Sequence, residues 1–253
     1  VDYKDSSIWL MQGDCLERMK EIPDSSVDLI LCDPPYQVTT IAWDKALPFD
    51  KLWEEYNRIL KPTGTVLLFA VGIFTAKVIL SNEKWYKQTL VWDKNKCGSP
   101  GLAKIRPMQV TEDIVVFAPS RTVYNPQMEA GEPYYRKSKN PEGYVPRCNT
   151  HGYGLKPVTE IKNEGTRYPK NIIRIGTNLR AQDRVHPTQK SVPLLEYLIQ
   201  TYSNEGDAVL DNCMGSGSTG VSCVNTNRKF IGLELDINYF NTAKERILNA
   251  NQS

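Results

Sequence analysis

No Cys-x-x-Cys pair occurs, although the chain holds six cysteines, at 15, 32, 97, 148, 213 and 223. Their spacings suit neither a zinc site nor a disulfide framework, so free thiols in a reducing cytosol are expected. Histidines are scarce: His151 and His186 are the two in the chain. Neither has a partner at ligand spacing, and no metal is expected. Long hydrophobic runs are absent; stretches such as residues 66–72 are far too short to span a bilayer. The first residues are charged and lack an apolar signal core, which predicts a cytoplasmic protein. A serine hydrolase has no support, because no Gly-x-Ser-x-Gly elbow is found. Internal repeats and low-complexity segments are missing too.

What is present reads as an ordinary globular chain. It has 253 residues, 40% hydrophobic and 24% charged, enough to bury a real core. The net charge of +2 says little, but its distribution says more. Residues 121–184 carry 12 Lys/Arg against 6 Asp/Glu, so a local +6 is set against −4 elsewhere. A stretch of this kind can contact phosphates or can be a solvated face.

Three parts follow from the patterning. Residues 1–118 alternate strands and helices. Residues 27–32 are a buried-strand candidate that ends at Asp33-Pro34-Pro35-Tyr36, where proline forces a turn. Residues 49–60 have a helical period, and residues 65–69, 88–92 and 113–117 read as strands. Residues 119–185 break the pattern, with six tyrosines, six prolines and six glycines between 121 and 184. They predict an inserted module of loops and short strands. Residues 186–253 return to alternation: a helix over 192–202, strands at 207–211 and 229–234, and a last helix over 237–248. The whole predicts an α/β fold, a mostly parallel twisted sheet with helices on both faces.

Two motifs carry chemistry. Gly215-Ser216-Gly217-Ser218-Thr219-Gly220 stands between a strand and a helix, and Glu234 ends the next strand. Such a loop brings backbone close to a ligand, and the carboxylate can accept hydrogen bonds from both hydroxyls of a ribose. A dinucleotide and S-adenosylmethionine both fit. Asp33-Pro34-Pro35-Tyr36 favours the second. Asp33 and the Pro34 carbonyl can each accept one hydrogen of an exocyclic amine, and Tyr36 can stack on the base. Read structurally, the same string is a turn whose Asp caps a helix.

In their order, these motifs resemble the S-adenosylmethionine-dependent DNA amino-methyltransferases that modify adenine N6 or cytosine N4. Gly13-Asp14-Cys15 resembles the family's segment before the catalytic strand, and residues 57–64 the segment after it. His186-Pro187-Thr188-Gln189-Lys190 resembles its HPTxKP motif, and residues 211–220 its DPFxGSGTT loop. The catalytic motif precedes the glycine loop, which looks like the β class, a circular permutation of the Rossmann-like methyltransferase fold. Residues 119–185 fall where that class keeps its target-recognition region. The resemblance implies Asp33, Pro34, Pro35 and Tyr36 as catalytic. It implies that Asp14 and Cys15 contact the adenine end of the cofactor, that Glu234, beside Leu235, holds the ribose, and that Asp211, Asn212, Cys213, Gly215, Ser216, Gly217 and Ser218 surround the methionine portion. His186, Thr188 and Lys190 would line the same pocket. Trp92-Asp93-Lys94 resembles a segment near the flipped base, though a Trp at a strand end also suits a core.

Two departures stand out. Asn212 and Cys213 replace the usual Pro-Phe, and Pro193 lies two residues beyond the usual proline. The resemblance further implies double-stranded DNA as substrate, base flipping, a restriction-modification setting, and homodimers in some members. Adenine N6 is the expected target, because Asp at the first motif position is commoner in the adenine enzymes. Cytosine N4 methylation, an NAD-dependent oxidoreductase and a silent DNA-binding module are the alternatives.

Overall fold

The computed structural model describes residues 2–35, 48–95, 100–138, 159–177 and 189–251. In chain order the elements are β1 (Tyr3–Lys4), β2 (Ile8–Gln12), α1 (Cys15–Arg18), β3 (Val27–Cys32), α2 (Phe49–Ile59), β4 (Leu60–Ala70), α3 (Ile73–Ser81), β5 (Tyr86–Asp93) and β6 (Thr111–Phe117). The short strands β7 (Glu129–Ala130), β8 (Tyr134–Lys137), β9 (Glu160–Asn163), β10 (Thr166–Arg167) and β11 (Ile172–Arg174) follow. Then come α4 (Val192–Tyr202), β12 (Ala208–Asp211), α5 (Ser218–Asn225), β13 (Lys229–Glu234) and α6 (Ile237–Ala250). Among these residues no helix is long and apolar enough to cross a membrane.

Nine strands form one sheet in the order β1-β2-β13-β12-β3-β4-β6-β5-β11. The run from β2 to β4 is parallel throughout. Its strands are apolar on both sides because both faces are covered. In β3, Leu29 and Leu31 join the core under α4, α5 and α6, while Val27, Ile30 and Cys32 join the core under α1, α2 and α3. From Leu29 onward the faces alternate with the period of two expected of a strand, and Val27 falls out of it where the pairing with β4 shifts register between Val27 and Leu29.

Helix α2 turns Leu52, Trp53, Tyr56 and Ile59 inward. It stops at Leu60, two residues before Pro62, whose ring and missing N–H bar further helix. Leu60 pairs with Val27, and pairing then skips to Thr65 with Leu29. Pro62 thus falls in an irregular stretch of the strand, where a proline is tolerated. Pro193 has a similar account: it occupies the first turn of α4, where no helical N–H bond is lost.

Beyond β4 the sheet is not parallel, which the alternation of the sequence did not indicate. Helix α3 carries the chain from β4 past one position to β5, and β6 returns antiparallel to both. The reason lies in the connection. Among the described residues between β5 and β6 no long helix crosses over; there is one 3-10 turn, Pro100–Leu102. Without a crossover helix the chain comes back in the opposite sense. β11 adds in parallel outside β5, so part of the segment expected as an insertion belongs to this sheet.

By contact density the chain divides into one unit of residues 1–125 with 171–253, and a second of 126–170. The second holds two antiparallel pairs, β7 with β10 and β8 with β9. Arg136, Lys137 and Lys162 are exposed on it, as are Tyr134, Tyr135 and Tyr168.

Candidate active site

The parallel strands β2, β13, β12, β3 and β4 end on one edge, with Glu234 level with Gln12, Asp211 with Gly232, and Leu210 with Ile30. From β12 the chain turns into α5 on one face. From β3 it goes on to α2 on the other. The strand order therefore reverses between β12 and β3, which is where an open α/β sheet leaves a crevice for a ligand.

On the β12 side lies the glycine loop. Gly217 has φ +78, and a Cβ there would come within 3.0 Å of the Ala243 backbone on α6. Glycine is needed for the left-handed turn and for the close approach together. Gly215 also has positive φ, but a Cβ there would meet nothing within 4 Å. That side of the loop is open. The Glu234 carboxylate accepts from Gly215 N at 2.9 Å and from Asp236 N at 2.8 Å. It joins the loop to the end of β13. Burial raises its pKa, and those two N–H groups oppose the rise. Arg246 on α6 donates to the Ser216 carbonyl and holds the loop from behind.

Asp211 is buried beneath this loop. It accepts from the Thr219 hydroxyl at 2.6 Å and from Cys213 N at 3.1 Å. Burial pushes its pKa up to about 7 despite both bonds, and the charges of Asp33 and Glu234 add to the rise. Asn212 accepts a 2.6 Å bond from the Tyr56 hydroxyl on α2. This accounts for one departure of the loop: where proline is usual, an amide makes a buried bond. The Cys213 thiol meets Cys15 and Cys32 in hydrogen-bonding contact. Burial raises the Cys32 pKa to about 11, so it is a packed thiol and not a nucleophile. Asp14 caps α1 through Leu16 N and Glu17 N. Leu235, just past Glu234, is 61% exposed at the same edge.

On the β3 side, Asp33 and Pro34 follow the last strand residue. Asp33 Oδ2 lies 2.7 Å from the ammonium of Lys190, which also lies 3.1 Å from Glu112 Oε2. Glu112 Oε1 in turn meets Lys94 at 2.9 Å. The Lys190 ammonium stands 4.8 Å from the centre of the Phe69 ring. Burial disfavours its charge, yet Asp33 and Glu112 hold its pKa above the ordinary lysine range. Burial likewise opposes ionisation of Glu112, yet Lys190 and Lys94 hold it below the usual carboxylate range. A cavity of about 200 Å³ opens beside Glu112, lined among others by Val71, Lys94, Arg106 and Met108.

Of the residues expected at the site, Asp33, Pro34, Pro35, Asp14, Cys15, Lys190, Asp211, Asn212, Cys213, Gly215, Ser216, Gly217, Ser218, Glu234 and Leu235 are described, and they gather at this edge or directly beneath it. Lys190, expected to line the cofactor pocket, has its ammonium on Asp33. Tyr36, His186 and Thr188 lie outside the described residues, as does His151. Trp92 is buried, and its indole N–H donates to Ile175 O at 2.7 Å, a core role. Sequence reasoning gave no site role to Glu112, Tyr56 or Arg246. Two carried a faint signal: Glu112 is an acid opening an apolar strand, and Tyr56 is a polar-tipped residue on the inward face of α2.

Can these residues accept S-adenosylmethionine? The donor set fits: an open glycine loop with positive φ, a carboxylate at the end of the neighbouring strand, and an exposed apolar side chain next to it.

Comparison with known proteins agrees. Residues 27–245 match the N6/N4 DNA methylase family. The chain is 29% identical to the type II methyltransferase M.HpaI of Haemophilus parainfluenzae, over 94% of this chain and 73% of that one. It is also 29% identical to the DNA adenine methyltransferase YhdJ of Escherichia coli K12, over 94% of this chain and 82% of that one. Among solved structures, the M1.HpyAVI–SAM complex superposes with a TM-score of 0.64 at 26% identity, covering 95% of this chain and 98% of that one. The cytosine-N4-specific PvuII DNA methyltransferase gives 0.67 at 18% identity, over 99% and 93%, a likeness of fold. The chain belongs to the N6/N4 DNA methylase family and is a DNA methyltransferase.

Proposed function

We propose that this methyltransferase modifies N6 of adenine at specific sites in duplex DNA, that it turns the target base out of the helix to do so, and that it is of the β class. The observation that carries the reading is the Asp33 carboxylate, held by the largely buried Lys190 on the same sheet edge as the glycine loop. Adenine is favoured by the aspartate at the head of the Asp33-Pro34-Pro35-Tyr36 motif, and by 29% identity to a relative named as an adenine methyltransferase.

S-adenosylmethionine, when bound, supplies an electrophilic methyl group. The chain's own residues supply the rest. Glu234 accepts from the ribose hydroxyls. Asp14, Cys15 and Leu235 frame the adenine end, and the loop from Asp211 to Ser218 surrounds the methionine portion, with His186 and Thr188 lining the same pocket. Asp33 accepts one hydrogen of the target amine and the Pro34 carbonyl the other. The nitrogen lone pair is then drawn out of conjugation and aimed at the methyl. Rate enhancement comes from positioning and polarisation. Asp33 acts as an acceptor, because the amine sheds its proton more readily once methylated. Unpairing the base costs roughly a few kcal/mol, and stacking on Tyr36 returns about 1–3 kcal/mol. Residues 119–185, with a surplus of Lys and Arg, contact phosphates and read the sequence.

The test is transfer of a labelled methyl group to sequence-diverse, unmethylated duplex DNA, followed by digestion to nucleosides and mass spectrometry. Label in N6-methyladenine is expected. Label in N4-methylcytosine would overturn the base assignment and keep the mechanism. Absence of label from a protein that binds the cofactor would overturn both.

A further inference from the structure

The reversal of β6 has a chemical consequence. A strand parallel to its neighbours would bring its last residues to the active edge. β6 is antiparallel to β4 and β5, so it brings its first. Glu112 stands level with Trp92 on β5, and Asp113 level with Ala70 on β4. Asp33 follows Cys32, which is level with Leu68. The start of β6 and the end of β3 are thus brought to one edge, and Lys190, two residues ahead of α4, lies between their carboxylates.

The result is a chain of four charges, Lys94–Glu112–Lys190–Asp33, with contacts of 2.9, 3.1 and 2.7 Å. It has no net charge, which is what a weakly solvated cluster requires. Lys190 is the hinge of the chain. Its long stem has many rotamers, and an ammonium is a point charge with no orientation of its own. Asp33 alone would leave the position of that ammonium loosely defined. Glu112 supplies a second anchor from a rigid strand, and Lys94 holds Glu112 on its other side. The Phe69 ring closes the third direction.

We propose that Glu112 is a positioning residue for methyl transfer: by anchoring Lys190 from β6, it fixes the rotation of the Asp33 carboxylate where the target amine arrives. This rests on the reading of Asp33 as the amine acceptor. Glu112 itself touches neither the amine nor the methyl donor. Without it, Lys190 keeps one carboxylate in a poorly solvated place and loses its charge at lower pH. Among the described residues, the groups that face that ammonium include Asp33 after β3, Glu112 on β6 and the Phe69 ring on β4, with Lys94 behind Glu112.

The experiment compares the wild-type chain with Glu112→Gln, Glu112→Asp, Lys94→Met and Asp33→Asn. Single-turnover transfer from labelled S-adenosylmethionine to unmethylated genomic DNA is followed between about pH 6 and pH 9.5. Cofactor affinity and thermal melting are measured on each protein. Glu112→Gln is expected to slow transfer roughly 10- to 100-fold, the scale of a misplaced catalytic group, with cofactor affinity within about twofold of wild type. The alkaline fall of its rate should begin at lower pH than in wild type. Glu112→Asp, which keeps the charge, should recover much of the rate and the wild-type profile. Lys94→Met should show a smaller loss with the same displacement of the profile, and it stands in if Glu112→Gln does not melt cooperatively. A wild-type rate and pH profile in Glu112→Gln, or in Lys94→Met where that variant stands in, would overturn the proposal. So would equal losses of rate and cofactor affinity. Asp33→Asn separates the two readings. If it transfers methyl normally, the role of Asp33 falls. If it is inactive while Glu112→Gln is silent, only the role of Glu112 falls.

Discussion

Replacing Asp211 by asparagine should stabilise the protein at alkaline pH and leave it little changed in acid. Asp211 is 4% exposed and sits under the glycine loop. Burial raises its pKa from 3.8 to about 7 in the folded chain. A raised carboxyl pKa means that the folded state binds a proton which the unfolded state has already lost. The stability gained from that proton is complete below about pH 4 and drains away as the pH rises to about 7. Above that it is gone. At about 1.36 kcal/mol per pH unit, the difference between the two pKa values amounts to about 4 kcal/mol. Asparagine is isosteric and keeps the bond from Cys213 N, while the Thr219 hydroxyl rotates to accept from its amide. The variant therefore lacks this one titration and keeps every other. Melting temperatures of both proteins, without cofactor, should draw apart between pH 4 and pH 8. In a chain of this length, about 4 kcal/mol corresponds to a gap on the order of 10 °C. A gap that stays constant across that range, or closes with rising pH, would refute the reasoning. It would mean that Asp211 enters the folded state ionised, with its two hydrogen bonds outweighing burial.

Other perturbations have equally definite outcomes. Tyr56→Phe leaves the Asn212 carbonyl without its 2.6 Å donor in a buried place; a loss of about 1–3 kcal/mol is expected in chemical denaturation, together with weaker cofactor binding in a titration. Gly217→Ala forces a side chain into φ +78 and against α6; it should cost at least about 1–3 kcal/mol and lower cofactor affinity, whereas an unchanged binding isotherm would mean that the loop tolerates displacement. Arg246→Met removes the hold on the Ser216 carbonyl; kinetics should show a higher KM for the methyl donor with kcat nearly kept.

How much of this was legible beforehand depends on where the information lies. Val27–Cys32, Lys229–Glu234 and Val192–Tyr202 were readable to the residue, because an apolar run between turn signals is a local property. Helix α3 was not. Its exposed face carries Ile73 and Leu80 while its buried face carries Phe74 and Val78. With both faces apolar, there is no period to see. The glycine loop and the Asp-Pro-Pro-Tyr turn announced themselves through backbone demands that few other residues meet. The partners of those motifs did not, since Tyr56 finds Asn212, and Glu112 finds Lys190, only after the sheet has formed.

Glu112 shows why the gap is systematic. A reader who infers a parallel sheet looks for chemistry at the carboxyl ends of strands, and so passes over the first residues of β6. Strand direction is decided by the connection, and the described residues between β5 and β6 lack the helix that a parallel return requires. Once that return is antiparallel, amino and carboxyl ends change places, and the acid that opens Thr111–Phe117 arrives beside Lys94, past the end of β5. The sequence contains both facts, a connection without a helical period and an acid before an apolar run. Neither means anything for catalysis until strand order and direction are known, because only then do the start of β6 and the end of β3 lie on the same edge.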